Sequence, residues 1–139
     1  MSGPGKRADG PVRIRFAGPG VYPVPFAGSG FAVVFEDDGE TGYLYATNED
    51  ANEIFDALHL YNHGRPGQLE AGDELVVVWN GALKRGGVHY HGAFQAVVDF
   101  AKQRAMCRNG FPPADARWCR GTHDWDEALL VGLDEPRVE

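Results

Sequence analysis

Apolar and polar residues alternate first in VRIRF. Val12 to Phe16 therefore reads as a strand. AGPGVYPVPFAGSG, residues 17–30, is too rich in glycine and proline for a central strand, and reads as a loop anchored by Val21, Tyr22, Val24 and Phe26. FAVVFEDDGETGYLYAT, residues 31–47, sets two apolar runs around an acidic bend and predicts a hairpin. A turn on Asp38-Gly39 would place Asp37 opposite Glu40, a repulsive pair. A turn on Gly39-Glu40 avoids this and gives glycine the positive φ of a type II′ turn. The two registers differ by an even step, so both sort the side chains alike. Phe31, Val33, Phe35, Leu44 and Ala46 share a core face. Ala32, Val34, Glu36, Tyr43, Tyr45 and Thr47 share a second, amphipathic face.

Further along, DANEIFDALHLYN fits two periods. Ile54, Ala57, Leu58 and Tyr61 suit a helix, whereas Ile54, Asp56, Leu58 and Leu60 suit one strand face. ELVVVWNGALKRGGV contains Asn80-Gly81, the preferred type I′ dipeptide, and predicts a hairpin pairing Trp79 with Ala82 and Val78 with Leu83. In HYHGAFQAVVDFAKQRAMCRNGFPP, Phe94, Val97, Val98, Ala101 and Ala105 fit a helix ended by Asn109-Gly110. Phe94, Ala96, Val98 and Phe100 fit a strand equally well. THDWDEALLVGL, residues 122–133, reads as a short helix with Thr122 as N-cap and Trp125, Ala128 and Leu129 as its apolar stripe.

Together these elements predict a mainly β fold: antiparallel hairpins in one compact sheet or a small barrel-like domain, with a short C-terminal helix. A chain of 139 residues fits one domain with its own core, and 43% of its residues are hydrophobic. Residues 1–10 read as a flexible tail ahead of a single domain over 11–139. There is no apolar signal region and no apolar run long enough to span a membrane. Two cysteines, Cys107 and Cys119, are read as thiols of a reducing cytoplasm, with one disulfide as the alternative.

The net charge of −7 is unevenly spread. Residues 36–74 carry eleven acids and only Arg65, residues 75–120 carry seven bases against Asp99 and Asp115, and residues 121–139 carry six acids and Arg137. Such blocks either pair internally or leave an acidic face for a basic partner.

FEDDGETGYLYA, DALHLYN, the strand ending in Trp79 with its Asn-Gly turn, AVVDF and CRNGFPP together resemble a family of small bacterial proteins classed as a domain of unknown function. The resemblance covers roughly residues 30–113 and implies no activity and no catalytic residues. It does imply two strands joined by a turn in VHYHGAFQAVVDF. That favours strands over 93–100 and 104–108, and over 54–61. The turn lacks the proline of the family pattern, and the last 25 residues fall outside the likeness.

Candidate chemistry follows from residue type and spacing. The acidic bend fails as a calcium loop: counting from Asp37, Gly42 falls sixth as required, but Gly39, Thr41 and Asn48 occupy ligand positions. His89 and His91 would share a strand face and a metal, with His59, His63, His123 or a thiol as third ligand. Cys119 and His123 have a permissible ligand spacing but straddle a predicted loop-to-helix boundary. Ser29 lacks a nucleophile-elbow frame. Cys107 reads as a core thiol, although Arg104, Arg108 or Arg120 nearby would lower its pKa. Asp56 would orient His59 only on a helix. The glycines of AGSG precede a strand and so form no phosphate cradle. A stripe of Lys84, Arg85, Lys102, Arg104, Arg108, Arg117 and Arg120 is the only nucleic-acid signal, and a pI near 5.1 opposes it.

The expectation is a non-catalytic, inhibitor- or immunity-like binding domain. Its acidic, tyrosine-bearing surface comprises Glu36, Asp37, Asp38, Glu40, Tyr43 and Tyr45. It needs no cofactor and meets a basic protein partner, with no membrane or nucleic acid. The alternative is a small metal-assisted hydrolase built on His89 and His91.

Overall fold

Nine strands appear in the computed structural model, which describes residues 10–137. Apart from Gly10, the expected N-terminal tail lies outside the described residues. The strands are β1 (Val12–Arg15), β2 (Gly20–Phe26), β3 (Phe31–Asp37), β4 (Thr41–Asn48), β5 (Ile54–Asn62), β6 (Glu74–Asn80), β7 (Arg85–Tyr90), β8 (Ala93–Asp99) and β9 (Arg104–Cys107). They form two antiparallel sheets, ordered β1-β6-β7-β8-β9 and β2-β3-β4-β5. The fold is mainly β as expected, but it is two sheets rather than one sheet or a barrel. No helix among the described residues is long and apolar enough to cross a membrane.

The β3–β4 hairpin takes the Gly39-Glu40 register: Asp37 pairs with Gly42 and Glu36 with Tyr43. Gly39 has φ 90°, the conformation a type II′ turn demands of its first central residue. Val33, Phe35, Leu44 and Ala46 point into the core, as alternation requires. Residues 20–26 form a strand, not a loop. β2 lies at a sheet edge, where Pro23 and Pro25 leave no central ladder bond unmade. Of its expected anchors, Val24 and Phe26 are buried and Tyr22 is half-buried, whereas Val21 faces solvent. Both ambiguous segments are strands, in β5 and in β8–β9.

The β6–β7 hairpin departs from its expected register. Trp79 pairs with Gly86 and Asn80 with Arg85, so the connection spans residues 81–84 instead of a two-residue turn. The shift gives Trp79 a partner without a side chain. A Cβ on Gly86 would sit 3.2 Å from the ring of Phe26 and 3.3 Å from that of Trp79. Those two rings stack with centroids 4.0 Å apart, joining one sheet to the other. Phe31 and Phe100 make a second stacked pair across the interface, at 4.5 Å. Each such pair adds about 0.5–1.5 kcal/mol beyond area burial. The two-residue turn with both central residues at positive φ falls instead at His91-Gly92, between β7 and β8.

The predicted C-terminal helix reduces to one 3-10 turn, Glu127–Leu130, capped by Asp126 rather than Thr122. Leu129, Leu130, Trp125 and Leu133 pack on Val97 and Met106, which point away from the inter-sheet core. Residues 125–133 thus cover part of the outer face of the five-stranded sheet. Arg85 and Asp99 fasten that cover. Arg85 Nε and its terminal Nη2 both lie 2.8 Å from Asp99 Oδ2, and Nη1 donates to the carbonyl of Val131. Both side chains are almost fully buried. Asp99→Ala would leave the guanidinium buried without its counter-charge. It is expected to lower unfolding stability by about 3–5 kcal/mol, read by urea denaturation. A loss under about 1 kcal/mol, the range of an exposed pair, would show that the pair does not bear the predicted load.

Candidate functional site

Among the described residues Asn109 and Phe111 meet His59 at one side of the equivalent outer face of the four-stranded sheet, and the face between β2 and β4 is left as an open groove. Strand alternation places Val21 and Pro23 of β2, Val34 and Glu36 of β3, Tyr45 and Thr47 of β4 and Ile54 of β5 around one shallow groove of about 350 Å³. Val21 and Ile54 are each 60% exposed, a large value for β-branched apolar side chains within strands. Tyr45 and Tyr43 lie roughly parallel, ring centroids 6.0 Å apart, and Tyr43 also meets His59 edge-on. The Tyr45 hydroxyl donates to Glu36 at 3.1 Å. Partial burial, followed by that bond to a carboxylate, pushes the Tyr45 phenol up to about 12. Of the expected surface residues, Glu36, Tyr43 and Tyr45 thus lie on this face, with Glu36 and Tyr45 lining the groove itself.

The acids of the bend divide. Asp38 and Glu40 are exposed at the tip. Asp38 accepts from the N–H groups of Glu40 and Thr41 at 2.9 and 2.8 Å, and those bonds hold its carboxyl below the ordinary range. Asp37 is not on the wet surface as expected: it is 1% exposed. Two-residue alternation already puts position 37 on the face of Val33 and Phe35, and the acidic run around it masks that parity. Its partners are the Tyr61 hydroxyl at 2.6 Å, the Gly39 N–H at 2.8 Å and His63 Nε2 at 2.8 Å. Gly42 makes room for Tyr61, since a Cβ there would collide with its ring. Burial alone would raise the Asp37 carboxyl. The Tyr61, Gly39 and His63 contacts outweigh it and hold the group below its usual value.

The histidine pair separates. β7 ends at Tyr90, so His91 sits in the turn with φ 51° and strand alternation no longer aligns it with His89. His89 Nε2 lies 3.3 Å from Glu135 and His91 Nε2 lies 2.9 Å from Asp73. The two imidazoles thus face different carboxylates. Asp56 and His59, three apart on a strand, also part. His59 meets Asn62 and Asn109, whereas Asp56 turns inward. Cys107 is a buried core thiol whose pKa burial raises, and Cys107 and Cys119 are not bridged.

Asp56 instead meets residues from the C-terminal segment. Its carboxylate oxygen, Cys119 Sγ and a ring nitrogen of His123 all lie within 4.8 Å of one another, and all three residues are buried. His123 Nε2 is 2.8 Å from Asp56 Oδ2 and Nδ1 is 2.6 Å from the carbonyl oxygen of Pro112. Burial alone would lower the imidazole pKa, but Asp56 and the Pro112 carbonyl raise it above the ordinary value. The four-residue spacing of Cys119 and His123 is visible in the sequence. Their meeting with Asp56, 63 positions before Cys119, is not.

Two packed antiparallel sheets, one outer face partly covered by the chain and the other bearing a shallow groove, define an antiparallel β protein. The chain belongs to a family of uncharacterised proteins conserved in bacteria (DUF2251), whose profile matches residues 21–133. The match extends past the stretch legible by resemblance and includes Cys119 and His123. An uncharacterised protein of Haemophilus influenzae (strain ATCC 51907 / DSM 11121 / KW20 / Rd) is 36% identical over 94 residues, covering 65% of this chain and 58% of that protein. The chain therefore matches little more than half the length of that relative. No solved structure matches the chain.

A carboxyl whose pKa is lowered by folding contributes stability above its unfolded value, and that contribution disappears as the pH falls through the folded value. Removing the strongest lowering contact should shift this loss to higher pH. Acid unfolding of Tyr61→Phe, followed by circular dichroism, is expected to begin at a higher pH than that of the wild type, within the window below about pH 4. Superimposable acid profiles would show that Asp37 does not depend on the Tyr61 bond.

Proposed function

We propose that this protein is a non-catalytic binding domain that docks a basic protein segment on the outer face of its four-stranded sheet. The observation that carries the reading is an uncovered apolar groove with acidic groups toward both ends. Residues 20–62 carry eight acids and no Lys or Arg. Asp37 and Asp56 turn inside. Glu36, Asp38 and Glu40 lie toward the β3–β4 turn, and Glu49, Asp50 and Glu53 in the β4–β5 connection. Among the described residues none of these six forms an ion pair with a Lys or Arg. Glu49 instead accepts from the backbone of Gly28 and Gly30, and Asp38 from its own turn.

A complementary partner offers apolar side chains to the groove and cations to its ends. Burying an exposed Ile or Val side chain contributes about 1.5–3 kcal/mol, whereas an exposed ion pair contributes about 0–1 kcal/mol. Apolar contact therefore supplies the hold, and charge selects and steers the partner. Tyr43 and Tyr45 add rigid amphipathic area of the kind favoured at interfaces. One concrete form is an inhibitor- or immunity-type protein that masks a basic bacterial enzyme.

A synthetic extended peptide alternating Lys or Arg with Leu tests the reading by NMR titration. Shift changes are expected at residues 21–25, 32–36, 43–47 and 54. Affinity is expected to fall about tenfold or more in Ile54→Lys and to weaken as salt rises. Equal affinity for an acidic peptide of the same apolar content, or shifts confined to other surfaces, would contradict it. A dimer that Ile54→Lys dissociates would place a second copy of the chain on this face instead.

A further inference from the structure

The buried trio beneath β5 has a proton requirement that its neighbours impose. The Pro112 carbonyl only accepts, so the Nδ1 of His123 that faces it must donate. Nε2 faces the Asp56 carboxylate, which when ionised also only accepts. A positive centre therefore belongs between Nε2 and Asp56: either a second imidazole proton or a metal cation in its place. A backbone carbonyl that fixes the Nδ1 proton and aims Nε2 at a ligand cavity is the usual support of a metal-binding histidine. The third group, Cys119 Sγ, contacts the Gly121 carbonyl at 3.8 Å and also faces the Asp56 carboxylate and the Ala105 backbone.

We propose that Asp56, Cys119 and His123 form a binding site for one divalent transition-metal ion, with zinc the best chemical match. The donor set is one carboxylate oxygen, one imidazole nitrogen and one thiolate, and a thiolate selects zinc over magnesium or calcium. Zinc takes such ligands at roughly 2.0–2.3 Å, so the Asp56–His123 pair, 2.8 Å apart, would part slightly to admit the ion while Cys119 Sγ closes in. The balance of charge also works. Apo, the carboxylate and imidazolium cancel beside a neutral thiol. On binding, Zn²⁺ displaces the Nε2 proton and the thiol proton, and its two positive charges are cancelled by carboxylate and thiolate. Counting the three side chains alone, the centre is neutral in both states.

Placement in the fold gives the site a consequence and a route. Asp56 lies on β5 of the four-stranded sheet, whereas Cys119 and His123 lie in the segment that leads to the cover of the five-stranded sheet. The ion would cross-link the two. Beside Asp56 a small cavity of about 170 Å³ opens between Ile54, Ala57 and Pro113, with Asp115 on its wall. It offers an entry path, and the Asp115 carboxylate on its wall is held by Arg117. Bound zinc would therefore stabilise the folded chain by mass action. The inference does not depend on the docking face: either stands if the other fails.

The test uses the full chain, stripped by a chelator and then titrated with zinc alone and with cobalt alone. Expected are one equivalent of zinc, a melting temperature raised by about 5–10 °C at hundredfold excess over Kd, and a thiolate-to-cobalt charge-transfer band in the near ultraviolet. Cys119→Ala keeps the Asp56–His123 contact and the apo fold. It is expected to lose that band and about 100-fold in zinc affinity, with its apo melting temperature nearly unchanged. No stoichiometric zinc, or unchanged zinc affinity in Cys119→Ala, would overturn the proposal. So would binding lost in His89→Ala with His91→Ala but retained in Cys119→Ala.

Discussion

The inner faces of the two sheets are committed to each other, and the rest of the structure follows from that contact. Stacking of Phe26 on Trp79 and of Phe31 on Phe100 ties β2 and β3 to β6 and the end of β8. A strand has only two faces, so every side chain one position out of phase with these points away from the core. On the five-stranded sheet those outward residues include Val97 and Met106, and residues 125–133 fold back to cover them. On the four-stranded sheet they include Val21 and Ile54, which are exposed, and Tyr45, which is half-buried. The asymmetry between one sheet covered in part and the other open is the physical basis of the docking proposal.

Polar groups inside this core are few and mostly satisfied. Asp37, Asp56 and Asp99 are each buried, and each is met by named donors: Tyr61 with His63, His123 with the Ala57 N–H, and Arg85 with the Lys102 N–H. A buried carboxylate without such partners would cost several kcal/mol, so these groups also fix register and direction. Asp99 and Asp56 each tether the C-terminal segment, one at each sheet. Among the described residues the exception is Arg104 Nε, which is buried without a hydrogen-bond partner. It lies beside Gly121, two positions from Cys119.

Much of the fold was legible because its signals are local. The II′ turn at Gly39 and the alternation through Phe31–Phe35 each depend on neighbouring residues. The β6–β7 register was not legible, because it depends on Phe26 arriving from the other sheet to lie over Gly86 and Trp79. The helix expected over 122–133 shortened for a similar reason: His123 is drawn to Asp56 and Pro112, so the backbone before Asp126 does not coil. The outer-face tyrosines were readable from parity, but Val21 and Ile54 were not. One lay in an apparent loop and the other in a segment of undecided period. Asp56, Cys119 and His123 converge through tertiary structure, and only the Cys-His spacing hinted at it.

The central claim, that the open face of the four-stranded sheet is exposed while its other face is locked, is tested most directly by solvent paramagnetic relaxation of methyl groups. A soluble gadolinium chelate should relax the Val21 and Ile54 methyls strongly, while Val33, Leu44 and Leu58 stay protected. Protection of Val21 and Ile54 to the level of Leu44, in a protein shown to be monomeric, would mean that the chain covers this face itself, and would contradict the account.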